Sequence, residues 1–491
     1  MKKKVEKVSG ESAPKDAKEK AFSSINTKSF VIVVIMLAVI IAVSGALSYF
    51  IPQGSFQRGE DGALIPDTYE KGEVKGIAVW RIITAPFRVF ASGDALTIIM
   101  ISLFLLIMSG VFNIMDKTGG VAVFISKIVN KCGSRKKLII FAAVFVFMAF
   151  GSFFGMLEEL VTLLPLIIVF MLSLGFDTMT GVGVCMLAAC FGFSAAITNP
   201  FSVGLAAQFA GISVLDGMWL RVVFFACIYA IVCAYLLIYV RRIEKNPMKS
   251  LSYNIDEEKR TAIAQSVTTV SNDEKTNNRI FKIFAIFFGV QAAILVLIAS
   301  IRAISDYAIP ILSVSFLVGG GICGGLVEKP KQAFKHFLQG ALSMAPAVLL
   351  IAMASSVKLI LAESNIIDTV MNFAINCLKG NSKFVMVLMF YALILFLQIF
   401  IGSASAKIFL VMPIVLPIAQ ALGISPELVI LTYCIADGFT DMILPTNPVL
   451  LIGLSMANIS YAKWVKWTWL LQLIVLAFTI LVLFIASAIG Y

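Results

Sequence analysis

Histidine is almost missing from this 491-residue chain: it occurs once, at His336. The eight cysteines form no C-x-x-C pair, and nearly all of them fall inside apolar runs. A zinc or haem centre therefore has no ligand set to build on, and the thiols read as small buried hydrophobes. No HExxH, GxSxG or phosphate-binding glycine loop is present. That argues against an intramembrane enzyme and against direct ATP drive. Charge is scarce too, with Asp, Glu, Lys and Arg making up 14% of the residues. The net charge of +11 sits in loops and the N-terminal tail. Lys and Arg there set membrane orientation, so no nucleic-acid partner is implied.

What the chain has is apolar length. It is 60% hydrophobic with a mean hydropathy of +0.97. Apolar runs of about 20 residues recur, enough to cross a bilayer at about 1.5 Å per residue. The expected fold is an all-α polytopic membrane protein with about nine spans and two re-entrant hairpins. Residues 1–28 form a lysine-rich cytoplasmic tail. Phe30–Ile51 is too long for a signal-peptide core, so an uncleaved first span with a cytoplasmic N-terminus is expected. It is followed by an outer loop to residue 93. Residues 94–242 and 344–491 read as two repeats. Between them lie 243–282, whose polar composition suits a mobile cytoplasmic linker, and the connecting spans of 283–343.

Two broken helices carry the repeat. Thr198-Asn199-Pro200 and Thr446-Asn447-Pro448 each interrupt a long apolar run. Proline lacks an N–H and clashes with the preceding turn, so the helix breaks there. In hydrocarbon such a break survives only where it is buried in protein or lines a wet cavity. Matching breaks in two halves point to a transporter's binding site. Pro165 and Pro413, Gly175 and Gly423, and Asn199 and Asn447 all differ by 248 (for example 447 − 199).

Leu138–Leu174 and Phe384–Leu422 are each too long for one crossing and are interrupted by Gly151–Gly155 and Gly402–Ser405. Both read as re-entrant hairpins. Asp116–Cys132 and Ile366–Leu378 read as interfacial helices. Arg135, Lys136 and Lys137 precede the first hairpin, whereas Leu378–Lys383 carries only Lys379 and Lys383. That asymmetry has the two hairpins dip into the membrane from opposite sides, making the repeats inverted.

The candidate substrate contacts lie at the breaks and tips: Ser152, Thr198, Asn199, Ser403, Ser405, Thr446 and Asn447. Exposed N–H groups after each asparagine suit a carboxylate, and carbonyls before each break suit Na⁺ or an ammonium. The alternative is that these residues only cap the broken helices. Glu158, Glu159 and Lys407 are intramembrane charges, costing roughly 2.5–3.5 kcal/mol each on insertion scales. The 248 offset equates Glu159 with Lys407, which would either pair across the site or bind opposite ends of a zwitterion. Asp437 and Asp441 are four apart on one helical face and form the candidate coupling-ion site, for Na⁺ or H⁺. Four acids against Lys358 and Lys407 favour a cation, a proton relay or an amino-containing substrate over a bare dianion.

The segments GSFFGMLEELVTLLP, ITNPFSVGLAAQFAGIS and IGSASAKIFLVMPIVLP, together with ADGFTDMILPTNPVLL, resemble the YfcC-like family of the ion transporter superfamily. That family is often labelled C4-dicarboxylate anaerobic carrier-like and includes arginine/ornithine exchangers. The resemblance implies paired hairpins, an elevator-type cycle and a bacterial cytoplasmic membrane. In this chain the second tip reads SASA followed by Lys407, where the family is richer in glycine. The expected function is secondary active transport of a small carboxylate-bearing solute, an amino acid first and a C4-dicarboxylate second. A passive channel or an intramembrane enzyme are the readings from other classes. Expected partners are the solute and the lipid bilayer, with a homodimer as the candidate assembly and no cofactor beyond a coupling ion.

Overall fold

Backbone polar groups find no water in hydrocarbon, so an apolar chain of this length satisfies them internally by folding into helices. The computed structural model describes residues 27–59, 65, 68–93, 95–120, 123, 136–158, 160–268, 274–300, 307–378 and 382–491. The one sheet among the described residues pairs β1 (Gly54–Ser55) with β2 (Glu70–Lys71), antiparallel. Every expected span has a helical counterpart. Helix α1 is Thr27–Leu47, α2 and α3 are the short Val79–Ile83 and Ala85–Arg88, and α4 is Ala95–Lys117. The first hairpin is α5 (Lys136–Ala149) and α6 (Leu164–Ser173). The first broken helix is α7 (Thr178–Ser194), then a π-helical turn, Pro200–Gly204, running into α8 (Leu205–Ala210). Next come α9 (Met218–Lys245), α10 (Tyr253–Thr268), α11 (Glu274–Ser300), α12 (Ala308–Val327), α13 (Pro330–Ser343) and α14 (Ala345–Glu363). The second half has α15 (Ile366–Leu378), its hairpin α16 (Lys383–Gln398) and α17 (Ala404–Ala421), and its broken helix α18 (Pro426–Phe439) and α19 (Pro448–Ala457). Helix α20 (Tyr461–Ala488) ends it. Six helices among the described residues are long and apolar enough to cross a membrane; the halves of the hairpins and breaks are mostly shorter.

The halves agree cap for cap. Asp177 accepts from the Thr180 N–H to start α7, and Ser425 accepts from the Leu428 N–H to start α18. Asn199 accepts from Phe201 and Asn447 from Val449, each at 2.9 Å. Gly175 (φ +90°) and Gly423 (φ +65°) turn the chain into each broken helix in the left-handed region that favours glycine. All of these pairs keep the 248 spacing.

Matching segments run antiparallel. Lys259 reaches both Thr178, at the start of α7, and Ala457, at the end of α19. At the opposite end, Tyr491 donates to Gly217 O and accepts from Ser425, joining the end of the first broken helix to the start of the second. Helices α9 and α20 pair in the same sense: Trp219 against Tyr491, Phe224 on Phe478, Tyr235 and Tyr239 against Trp467. This is the geometry that an inverted pair of repeats produces.

Three features depart from the sequence reading. The polar 243–282 stretch is not merely a mobile linker: α10 lies in it and docks by charged side chains, of which Asp256 and Lys259 are buried. Asp256 accepts from the Thr178 N–H (3.1 Å), Lys259 donates to Ala457 O (2.8 Å), and Arg260 donates to Phe176 O (2.6 Å). Helix α13, begun by Pro330, continues almost directly into α14 and packs on α4, where Ser109 donates to Gly340 O and Asn113 to His336 O. The outer loop is clamped onto α15, because Asp368 pairs with Arg58 and accepts from the Phe56 N–H. Helix α15 itself keeps the expected bounds, Ile366–Leu378. Residues 1–26, Arg135, most of Asp116–Cys132, Glu159 and the 379–381 part of the Leu378–Lys383 loop lie outside the described residues.

Candidate functional site

The first break is stitched to the first hairpin tip. Ser152 is fully buried; its carbonyl accepts from the N–H groups of Ile197, Thr198 and Asn199, at 3.1 to 3.3 Å. Its hydroxyl donates to Ala195 O and accepts from the Ile197 N–H. Ser152 thus closes the backbone of the break, and its hydroxyl proton is already committed there. Thr198 donates its hydroxyl to Phe153 O (3.1 Å). Gly155 (φ +70°) ends the tip so close to Asn199 that a Cβ would sit 2.3 Å from Asn199 Oδ1. With Oδ1 committed to the Phe201 cap, Asn199 Nδ2 is buried and has no partner among the described residues. A buried amide donor left unmade is costly, so Asn199 Nδ2 is a group of this break that a ligand can satisfy.

The two broken helices cross at their breaks. Cys190 donates its thiol to Gly438 O (3.0 Å), and Ser194 donates to Ile435 O (2.8 Å). Cys190 and Gly438 are repeat mates (438 − 190 = 248), and equivalent residues touch only where a two-fold relation passes through them. A Cβ on Gly438 would lie 2.4 Å from Ser194 N, so the crossing requires glycine there.

Beside that crossing lies the charge centre. Ser403 caps α17, and Lys407 stands one turn in, fully buried and ion-paired with Asp437 of α18. Tyr433, one turn before Asp437, donates to Ala404 O (2.6 Å) and pins α18 to the tip. Asp437 Oδ2 has no hydrogen-bond partner among the described residues. Asp441 is also buried; it accepts from Gln398 and faces the Asn447 side chain. Gln398 Oε1 and Thr440 Oγ1 are further buried oxygens without a partner among the described residues.

The structure thus gathers Lys407, Asp437, Asp441 and Asn447 at the second break, with Ser403 at its edge and Thr446 half-buried beside it. Lys407 is paired with Asp437, a partner the sequence reading did not name, while Glu159 lies outside the described residues. The 248 offset equates positions, whereas contact follows the faces that pack, and α17 packs on α18. The Ser405 side chain also lies outside what is described. Glu158 is placed elsewhere, lining a small apolar cavity with Phe104, Leu105, Met108, Ile452 and Met456. Lys358 belongs to α14, which packs on α1, α3 and α19. Two residues escaped the sequence reading. Gln398 could have been noticed as the lone polar group in YALILFLQIF, and Ser202, buried beside Cys434, lies two residues after Pro200.

The profile of the family described as DcuC, C4-dicarboxylate anaerobic carrier, matches residues 28–488. The chain is 27% identical over 400 residues to the Escherichia coli protein named "Putative basic amino acid antiporter YfcC", covering 78% of this chain and 76% of that one. It is 28% identical over 372 residues to a Haemophilus influenzae protein of unassigned role, covering 74% and 71%. Among solved structures it aligns with the Alcanivorax borkumensis YdaH transporter at 17% identity and a TM-score of 0.40, covering 94% of this chain and 98% of that one. It aligns with Neisseria gonorrhoeae MtrF at 16% identity and a TM-score of 0.39, covering 95% and 96%. With 461 of its 491 residues inside the family profile (488 − 28 + 1), this polytopic membrane protein belongs to the C4-dicarboxylate anaerobic carrier family of transporters.

Proposed function

We propose that the chain exchanges small amino acids, basic ones in particular, across a bacterial cytoplasmic membrane by an elevator-type movement of the hairpins and broken helices. The observation that carries this reading is the charge count at the second break: two buried carboxylates, Asp437 and Asp441, face a single buried ammonium, Lys407. Asp441 is met by the neutral groups of Gln398 and Asn447, so one carboxylate is left without a fixed counter-charge. A buried carboxylate in that position draws an amino or guanidinium group and repels a dianion. The solute's own carboxylate is served by Asn199 Nδ2 and by the helix N-terminus that Asn447 caps. The name of the Escherichia coli relative points the same way. Counter-transport of a second amino acid drives the cycle.

Counterflow in proteoliposomes of the purified full chain tests the reading. Arginine, ornithine, neutral amino acids and C4-dicarboxylates are each offered against preloaded solute. Exchange of the basic amino acids is expected. Exchange of dicarboxylates alone would overturn the amino-acid reading and favour the substrate in the family's description.

A further inference from the structure

Lys407 is held where its charge is least welcome. It lies in the first turn of α17, and a cation at a helix N-terminus opposes the helix dipole. It is fully buried, so the ammonium gives up its hydration and its long side chain gives up rotamer freedom. A neutral residue would avoid all of these costs. What the ammonium gains is the Asp437 carboxylate. Both carboxylates act on it, and Gln398, which donates to Asp441, and Thr440, three residues on from Asp437, each bring a buried oxygen without a partner among the described residues, of the kind that binds hard cations. Asp437 lies in the last turn of α18, and Thr440 and Asp441 follow in the turn just past its end, off the helix on which the sequence placed both acids.

We propose that Lys407 is a tethered cation that fills the position a coupling ion would occupy, so that the carrier runs without Na⁺. An ammonium fixed by its own side chain cannot be exchanged with either side. The site therefore keeps the same charge when loaded and when empty, and no ion gradient is tapped through it. This assignment rests on reading the second break as the transport site, but its binding test does not depend on which solute is carried.

The purified full chain is melted in choline chloride, sodium chloride and methylammonium chloride at equal ionic strength. The unaltered protein should melt alike in all three. Lys407→Ala should melt lower in choline and recover saturably with methylammonium or Na⁺, by about 2 °C or more. Lys407→Ala/Asp437→Asn should not respond, because the anchoring carboxylate is gone. A saturable Na⁺ response of the unaltered protein, or a Lys407→Ala variant indifferent to both cations, overturns the proposal. If Lys407→Ala does not survive purification, the same question is put to Lys407→Arg and the unaltered protein in proteoliposomes. Solute exchange by both should be equal in Na⁺ and in choline, and a Na⁺ requirement in either overturns the proposal. Cation rescue of Lys407→Ala without any amino-acid exchange would sink the substrate reading alone.

Discussion

Asn199 does two things with one amide: Oδ1 caps the helix after the break, and Nδ2 is left buried and unsatisfied. Serine is about as good an N-cap as asparagine but offers no second donor in that direction. Asn199→Ser should therefore cost stability no more than about 1 kcal/mol. Losing a donor to a bound solute costs about 1–3 kcal/mol, so apparent affinity should fall about ten- to a hundredfold. Counterflow gives the affinity and thermal melting gives the stability. Undiminished affinity with unchanged melting would reduce Asn199 to a cap. At this scale the sequence was legible wherever a group is costly in hydrocarbon. Asn199, Asn447, Lys407, Asp437 and Asp441 stand out from their apolar surroundings for that reason. The partner of Lys407 was not legible, because repeat arithmetic reports equivalence and not contact. Ser152 was legible as a polar tip residue but not as one whose carbonyl and hydroxyl are tied into closing the break.

Among the elements, α10 is the one that composition hides. Averaged over its forty residues (282 − 243 + 1), the 243–282 stretch resembles a linker. Its docking depends on only a few side chains, with Asp256, Lys259 and Arg260 at i, i+3 and i+4. These grip the start of the first broken helix and the end of the second, so α10 holds the two halves together at one end. Asp177 sits in the same junction, accepting from Ser250 (2.6 Å) and Tyr239. Burial pushes the Lys259 ammonium down to about 8, against the pull of Asp256, whose own carboxyl burial pushes up. An undocked lysine keeps its proton to about 10.4. Between those values the undocked chain holds a proton that the docked chain does not, so docking strengthens as pH rises from about 8 to 10.4. The gap corresponds to at most about 3 kcal/mol. Lys259→Met keeps the apolar stem and removes the titration. The melting temperature of the unaltered protein, taken relative to Lys259→Met, should climb across that window. A difference that stays flat or falls with pH would show that the buried proton is not lost on docking. The hairpins and breaks were easier to foresee than α10, since each follows from proline, glycine or length within an apolar run.

Across the whole molecule, the antiparallel halves place a two-fold relation at the Cys190–Gly438 crossing, and the charge centre lies to one side of it, in the second half alone. First-half equivalents of Asp437 and Asp441 are Ala189 and Phe193, which are buried and apolar. The scaffold is thus duplicated while the charge is not. An elevator needs a seam along which one body slides past the other, and such a seam should be apolar, because crossing polar bonds would have to break at each stroke. The gap between α4 and α19 has that character: Ile101, Phe104, Leu105 and Met108 line one small cavity with Val449, Ile452 and Met456, together with Val161 and Glu158. Cysteines introduced at Leu105 and Ile452, in a background whose native cysteines are replaced, can be joined across this cavity by a short bis-methanethiosulfonate reagent. Cross-linking of the pair should reduce exchange in proteoliposomes at least tenfold, and a reductant should restore it; each single cysteine should be indifferent to both treatments. The comparison is made at matched protein incorporation, with the extent of cross-linking read from gel mobility after a protease cut between the two positions. If the fully cross-linked protein exchanges solute at the rate of the reduced one, the two bodies do not slide at α4 and α19. Transport would then have to proceed by opening of the hairpin tips around a stationary site.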